Sequence, residues 1–176
     1  MKQLIIFNGT MGVGKTTLSQ ALKQALPAAV FLDGDWCWDS HPFIVNARTK
    51  AMVMENISFL LNQFLAQPDY QNVVFCWVIP SQEIMDDLLS RLHLEDVKLF
   101  CFSLIASAST LESHLQKDIS SGKREADVIS RSLAYQKNYL DQRTIKINVD
   151  GKDPALLISE VQIYLGGKNN VSTDSQ

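Results

Sequence analysis

Apolar residues along this chain fall into two alternating textures. Short, nearly unbroken apolar runs occur at Leu4 to Phe7, Ala28 to Leu32, Val73 to Val78, Val97 to Leu104 and Thr144 to Val149. Between them the apolar residues recur at three and four spacing, at Thr17 to Leu26 (stopped by Pro27), Ile44 to Ala66, Gln82 to Leu92, Thr110 to Ile119, Asp127 to Leu140 and Pro154 to Leu165. In the longest of these, Ile44, Ala47, Ala51, Met54, Ile57, Leu61, Phe64 and Leu65 recur at mixed three and four spacing, a face expected to pack on the sheet. Continuous runs of strand length, unlike alternating ones, indicate strands buried on both faces. Separated by amphipathic helices, they predict βαβ units and a parallel five-stranded sheet with helices on both faces, an α/β three-layer fold. Pro154 suits a first helical turn behind an Asp153 cap. Residues 1–165 read as a single domain, and 166–176, with no periodicity and little to bury, as a flexible tail.

Composition narrows the ligand class. With 176 residues, 46 % hydrophobic and 20 % charged, the chain can bury one sizeable core. A formal net charge of -3 argues against nucleic acid or an anionic membrane surface as the main partner, and leaves a small molecule. Cys37, Cys76 and Cys101 are odd in number and lack metal-ligand spacing, as expected of free thiols in a reducing cytoplasm. No apolar run approaches a membrane span, and a first strand beginning at Lys2 leaves no room for a signal peptide, so a cytoplasmic protein is expected. Monomer and homodimer remain open.

The chemistry enters at Gly9-Thr10-Met11-Gly12-Val13-Gly14-Lys15-Thr16, with Thr17 following. This is the G-x-x-x-x-G-K-[ST] pattern, the Walker A motif or P-loop, placed directly behind the first apolar run and ahead of a helix. Glycines let successive NH groups turn inward onto phosphate oxygens, Lys15 adds a point charge near the β and γ phosphates, and Thr16 offers Mg²⁺ a hydroxyl. The helix N-terminus behind the loop faces the anion. ATP and Mg²⁺ are the implied cofactors.

In parallel sheets ligands gather outside the carboxyl ends of the strands. Behind the second run comes Asp33-Gly34-Asp35, then Trp36, Cys37 and Trp38. Two carboxylates one residue apart point to opposite sides of the local chain, so Asp33 can serve a metal while Asp35 orients an acceptor hydroxyl and takes its proton. The same residues also make an ordinary Asp-Gly turn. Seven of the sixteen basic residues lie between Lys117 and Lys146, a concentration of positive charge in an acidic protein.

A P-loop at the N-terminus, D-G-D behind the second strand and a late basic segment at about 118–127 resemble the P-loop kinases of small molecules and nucleotides. That group includes shikimate kinase, gluconate kinase, adenylylsulfate kinase and chloramphenicol phosphotransferase. The resemblance spans about Met1 to Leu165, and its specific part is the P-loop. It implies the sheet order 2-3-1-4-5 and a short lid. It also implies Asp35 as acceptor-side base, Asp33 in the magnesium water shell, and Arg124 and Arg131 as lid cations that neutralise transition-state charge, with Lys123 beside them.

The chain departs from that pattern in several places. The third strand ends Cys76-Trp77-Val78 without the acid that a Walker B strand offers to Mg²⁺, so the metal would rest on Thr16, Asp33, water and nucleotide. His114 stands where shikimate kinase-like chains carry an arginine against adenine, and is equally readable as an exposed helix residue. Asp150, in the turn after the fifth strand, matches the place where such kinases enclose the base, or is simply a good turn residue. Trp36 and Trp38 either wall an acceptor pocket or pack a hinge. Arg48 either grips an anionic acceptor or sits on the surface. The function these features imply is an ATP-dependent phosphotransferase acting on a hydroxyl or phosphate of a small metabolite, nucleotide or drug. The alternative is an ATP-binding sensor with little kinase activity. A GTPase switch would need N-K-x-D, and Lys137-Asn138 has the order reversed.

Overall fold

The structure is a computed structural model that describes residues 1–120 and 128–166. Five strands, β1 (Lys2–Asn8), β2 (Ala29–Asp33), β3 (Asn72–Cys76), β4 (Val97–Ile105) and β5 (Ile145–Asn148), form one sheet in the order β2-β3-β1-β4-β5. Every pairing is parallel, with Ile5 opposite Val74 on one side of β1 and opposite Phe100 on the other. The helices are α1 (Lys15–Ala25), α2 (Ala47–Ala66), α3 (Gln82–Ser90), α4 (Ala108–Ser120), α5 (Val128–Leu140) and α6 (Pro154–Tyr164), and a 3₁₀ helix spans Gly34–Trp38. Architecture and strand order are those expected of the sequence and of the resemblance.

The period of two along each strand divides the interior into two layers. Ile5 and Phe7 of β1, with Val74 and Cys76 of β3, face a core closed by Leu18, Leu22, Leu157 and Val161 of α1 and α6. Leu4 and Ile6, with Val73 and Phe75, face the opposite core, closed by Val53, Met54, Ile57 and Leu61 of α2 and by Met85 and Leu88 of α3. A ring such as Phe75, fully buried, is worth about 3–5 kcal/mol on truncation to alanine. The apolar runs lack polar alternation because both faces are dry.

Several boundaries shift by a residue or more from the sequence reading, and two of the shifts have a clear local reason. Helix α2 begins at Ala47 rather than Ile44, because Asn46 Oδ1 accepts from Thr49 NH (3.0 Å) while Thr49 Oγ1 accepts from Asn46 NH (2.9 Å), a reciprocal cap that fixes the start. Strand β3 stops at Cys76; the Trp77 NH still donates to Phe7 O at 3.1 Å, and its indole packs onto Gly34. A Cβ on Gly34 would lie 2.4 Å from Trp77 Cγ, so only glycine admits the indole there. The end of β2, which carries Asp33 and leads through Gly34 to Asp35, is thereby wedged against the residue that follows β3.

Candidate active site

The loop joining β1 to α1 is built to receive an anion. Gly14 caps α1 at φ 101°, a left-handed conformation that favours glycine, and makes no side-chain cap bond to the helix. The first turn of α1 carries no acidic residue, so its NH groups and the positive end of its dipole are left for a ligand. A Cβ on Gly14 would meet nothing within 4 Å, which leaves open space over the loop where phosphate oxygens fit. Lys15 is 9 % exposed, and its Nζ donates to Thr10 O at 2.9 Å, folding the ammonium back over the loop.

The loop is held from outside by two helices. Ser132 of α5 donates from Oγ to Met11 O (2.8 Å), and Thr10 Oγ1 donates to Ser132 O (2.9 Å). His114 of α4 sets Nδ1 3.0 Å from Gly12 O; a carbonyl only accepts, so Nδ1 carries the proton in this contact. Beneath, Asn8 Nδ2 donates to Gln142 Oε1 (2.6 Å), Gln142 Nε2 to Ile79 O (2.9 Å), and Ser103 Oγ to Asn8 Oδ1, all in the dry interior.

At the ends of β2 and β3 the acidic element meets the loop. Thr16 Oγ1 donates to Asp33 Oδ2 at 2.7 Å, and Asp33 Oδ1 accepts the Asp35 NH at 3.0 Å, capping the 3₁₀ helix. Both oxygens of Asp33 are therefore oriented, one of them on the hydroxyl of the Walker motif. Cys76 occupies the end of β3, its Sγ 3.9 Å from Thr16 Oγ1. Burial, then the neighbouring Asp33 charge, push its thiol up to about 12, so it stays neutral beside the carboxylate. Among the described residues no three His, Cys, Asp or Glu side chains cluster as a metal site. The donor set of one hydroxyl and one carboxylate fits Mg²⁺, which retains waters and takes nucleotide oxygens rather than a full protein cage.

Loop and aspartates open into one cavity of about 1490 Å³. The order β2-β3-β1-β4-β5 divides it into two lobes about the P-loop. On the β2 and β3 side lie Asp35, Trp38, Phe43, Lys50, Met54 and Trp77; on the β4 and β5 side lie Ser113, His114, Lys117, Tyr135, Gly151 and Lys152.

A family model described as an AAA domain matches residues 5–144. The chain belongs to the AAA domain family. No curated protein matches it in sequence. In structure this AAA-domain chain is similar to a tunicamycin resistance protein of Deinococcus radiodurans (TM-score 0.69, 16 % identity, covering 96 % of this chain and 98 % of that one). It is also similar to a shikimate kinase of Acinetobacter baumannii in complex with shikimate (0.65, 16 %, 96 % and 96 %). A third likeness is to a gluconokinase of Sinorhizobium meliloti 1021 (0.63, 16 %, 95 % and 98 %). The fold is that of the P-loop small-molecule kinases.

Within this AAA domain the residues singled out by sequence divide clearly. Thr10, Met11, Gly12, Val13, Gly14, Lys15, Thr16 and Thr17, with Asp33, Asp35, Trp38 and His114, all line the cavity; Gly9 sits behind it. Trp36 does not line it. Two residues apart on a 3₁₀ helix, the indoles diverge: Trp36 stands edge-on to Phe31 (5.3 Å), whereas Trp38 turns to Phe43 (4.9 Å). Arg48 is exposed and outside the cavity, and Lys50 lines it instead. Lys50 precedes Val53, Met54 and Ile57 by three, four and seven residues and so stands on the same side of α2, itself exposed where it borders the cavity. Asp150 lies off the wall, accepting the Ser107 NH at 2.8 Å, while its neighbours Gly151 and Lys152 reach the cavity. Arg131 is exposed on α5, one turn before the lining residue Tyr135. Arg124 and Lys123 lie outside the described residues.

Sequence reasoning did not find Ser132, Gln142, Asn8, Lys50 or Trp77. Only Lys50 had a readable signal, its register with the apolar face of α2. No helix among the described residues is long and apolar enough to cross a membrane.

Proposed function

We propose that this chain is an ATP-dependent phosphotransferase, moving the γ phosphoryl group to a hydroxyl or phosphate of a small metabolite, nucleotide or drug. The observation that carries this reading is the bond from Thr16 to Asp33, which ties the Walker loop to the D-G-D element and sets Asp35 in the same cavity as Lys15. An ATPase alone has no use for a second lobe walled by α2 and α3. The structural neighbours, two kinases and a drug-resistance protein, are consistent with that chemistry.

In this reading the loop NH groups and Lys15 hold the triphosphate and offset the charge that spreads over the γ oxygens. Mg²⁺, when bound, neutralises β and γ oxygens, with Thr16 and Asp33 holding it directly and through water. Asp35 orients the acceptor hydroxyl and accepts its proton as the new O–P bond forms and the bond to ADP breaks. Arg124, on a lid at about 118–127, and Arg131 behind it close over the site of a kinase domain comprising residues 1–165, and His114 and the Asp150 turn bound the base lobe. The partner is a small-molecule acceptor in the cytoplasm.

Lys15→Ala should lower acceptor-dependent ADP release by about 10²–10³-fold, and Asp35→Asn should abolish acceptor dependence while leaving ATP bound. Unchanged turnover in Lys15→Ala would end the proposal. A sensor reading is favoured by Cys76 in place of a strand-end acid; it requires Asp35→Asn to be silent in every assay.

A further inference from the structure

The two lobes of the cavity differ in chemistry. On the β4 and β5 side the wall is dense in polar side chains: Ser109, Thr110, Ser113, His114 and Lys117. On the β2 and β3 side aromatic and aliphatic side chains predominate. Trp38 lies tilted on Phe43, with ring centroids 4.9 Å apart, Trp77 is pressed on Gly34, and Met54, Val78 and Ile84 complete the surface. Trp38 and Trp77 are both only half-buried, so each keeps part of its ring surface for a ligand.

The charged residues on this side are Asp33, Asp35, Asp87, Arg91 and Lys50. Arg91 is engaged by Asp87, Nε to Oδ1 at 2.9 Å, which cancels its charge locally. Asp33 is held by Thr16. Lys50 is a lining cation with no ion pair among the described residues. A phosphate group calls for two or more converging cations or a forked guanidinium, and a polyol calls for a polar partner at each hydroxyl. Among the described residues the lobe offers an anion one cation outside an ion pair, Lys50, and a second, Arg91, already paired with Asp87.

We infer that the acceptor lobe takes a hydroxylated small molecule whose body is a flat, largely apolar ring system with at most one anionic group. This rests on the phosphotransferase reading for its chemistry. The acceptor oxygen bonds to the γ phosphorus, the bond to ADP breaks, and the hydroxyl proton passes to Asp35. The ring body stacks on Trp38 and Trp77, and Lys50 meets the single anion where one is present.

The test pairs calorimetric binding with product detection, using 2-naphthalenemethanol and 3-phenyl-1,2-propanediol against gluconate, shikimate and uridine 5′-monophosphate. The ring alcohols are expected to bind about tenfold tighter than the polar set, with a negative heat-capacity change. Trp38→Ala should weaken naphthalenemethanol about tenfold, with Trp38→Phe restoring most of the affinity, and both should leave ATP affinity as it was. Tighter binding of any polar ligand, no binding of the ring alcohols, or an affinity indifferent to Trp38→Ala in a folded protein would overturn the inference. Phosphorylation of gluconate or the nucleotide in preference keeps the kinase reading and rejects this acceptor class. Ring alcohols that bind but are never phosphorylated keep the lobe assignment and reject the kinase reading.

Discussion

Thr16 Oγ1 lies 2.7 Å from Asp33 Oδ2, joining the first turn of α1 to the end of β2 across an interval of 17 residues. The hydroxyl donates to the carboxylate here, and a metal entering between phosphate and Thr16 would find that carboxylate already aligned behind its ligand. Carboxylates that orient metal ligands typically contribute about 10- to 100-fold in metal affinity or activity. Asp33→Asn preserves the acceptor oxygen but removes the charge. It should raise the magnesium concentration needed for half-maximal activity by about that factor, with metal-free nucleotide affinity unchanged. Titration of activity and nucleotide binding against Mg²⁺ separates the two.

Cys76 fills the strand end where an acid would be expected, and its environment keeps it a thiol. With a pKa pushed up to about 12, its thiolate fraction at pH 8 is about one part in ten thousand. Cys101 is pushed up to about 11 by burial, and Cys37 is raised by burial with Asp33 and Asp35 nearby. All three should alkylate far more slowly with iodoacetamide in the native protein than in guanidinium. Rapid native labelling of Cys76, followed by mass spectrometry, would contradict this account.

Asn8, fully buried at the end of β1, donates to Gln142 and accepts from Ser103. Asn8→Ala strands the buried amide oxygen of Gln142 and leaves the Ser103 hydroxyl with Thr144 Oγ1 in place of two partners. The expected loss is about 2–4 kcal/mol in urea unfolding, well beyond a surface change. Gln142→Leu should cost a similar amount by orphaning Ile79 O and Asn8 Nδ2.

Asp150 accepts the Ser107 NH through both oxygens, at 2.8 and 3.0 Å, and that NH, then the Thr110 hydroxyl, hold its carboxyl below its ordinary value. A lowered folded-state pKa means that the folded protein binds fewer protons than the unfolded one through the acid range. The stabilisation is therefore complete above the ordinary carboxylate pKa and is lost as pH falls through the lower, folded value. Wild type should melt above Asp150→Ala at neutral pH, and the gap should close in acid. A gap independent of pH would show that the carboxylate charge is not the cause.

The strand runs, the helices between them and the P-loop were readable because each is written locally, in the period of burial or in a contiguous motif. Sheet order needed the resemblance, since no strand's sequence names its neighbour. Side-chain destinations depended on register. Trp36 and Trp38 look equivalent on paper, and the 3₁₀ turn sends them apart. Arg48 and Lys50 are both exposed cations near a helix start, and the Asn46 cap together with the Met54 face decides which one borders the cavity. Ser132 and His114 touch the loop from more than a hundred residues away, and nothing local to either announces the contact.

Those two long-range contacts have a mechanical consequence. Met11 and Gly12 are tethered to α5 and α4, the two helices that bracket residues 121–127 in sequence. A loop held in this way cannot relax around an incoming phosphate alone; it must carry Ser132 and His114 with it or break both tethers. Occupancy of the loop is thereby transmitted to the roots of both helices, and amide exchange near Ser132 becomes a gauge of what the loop contains.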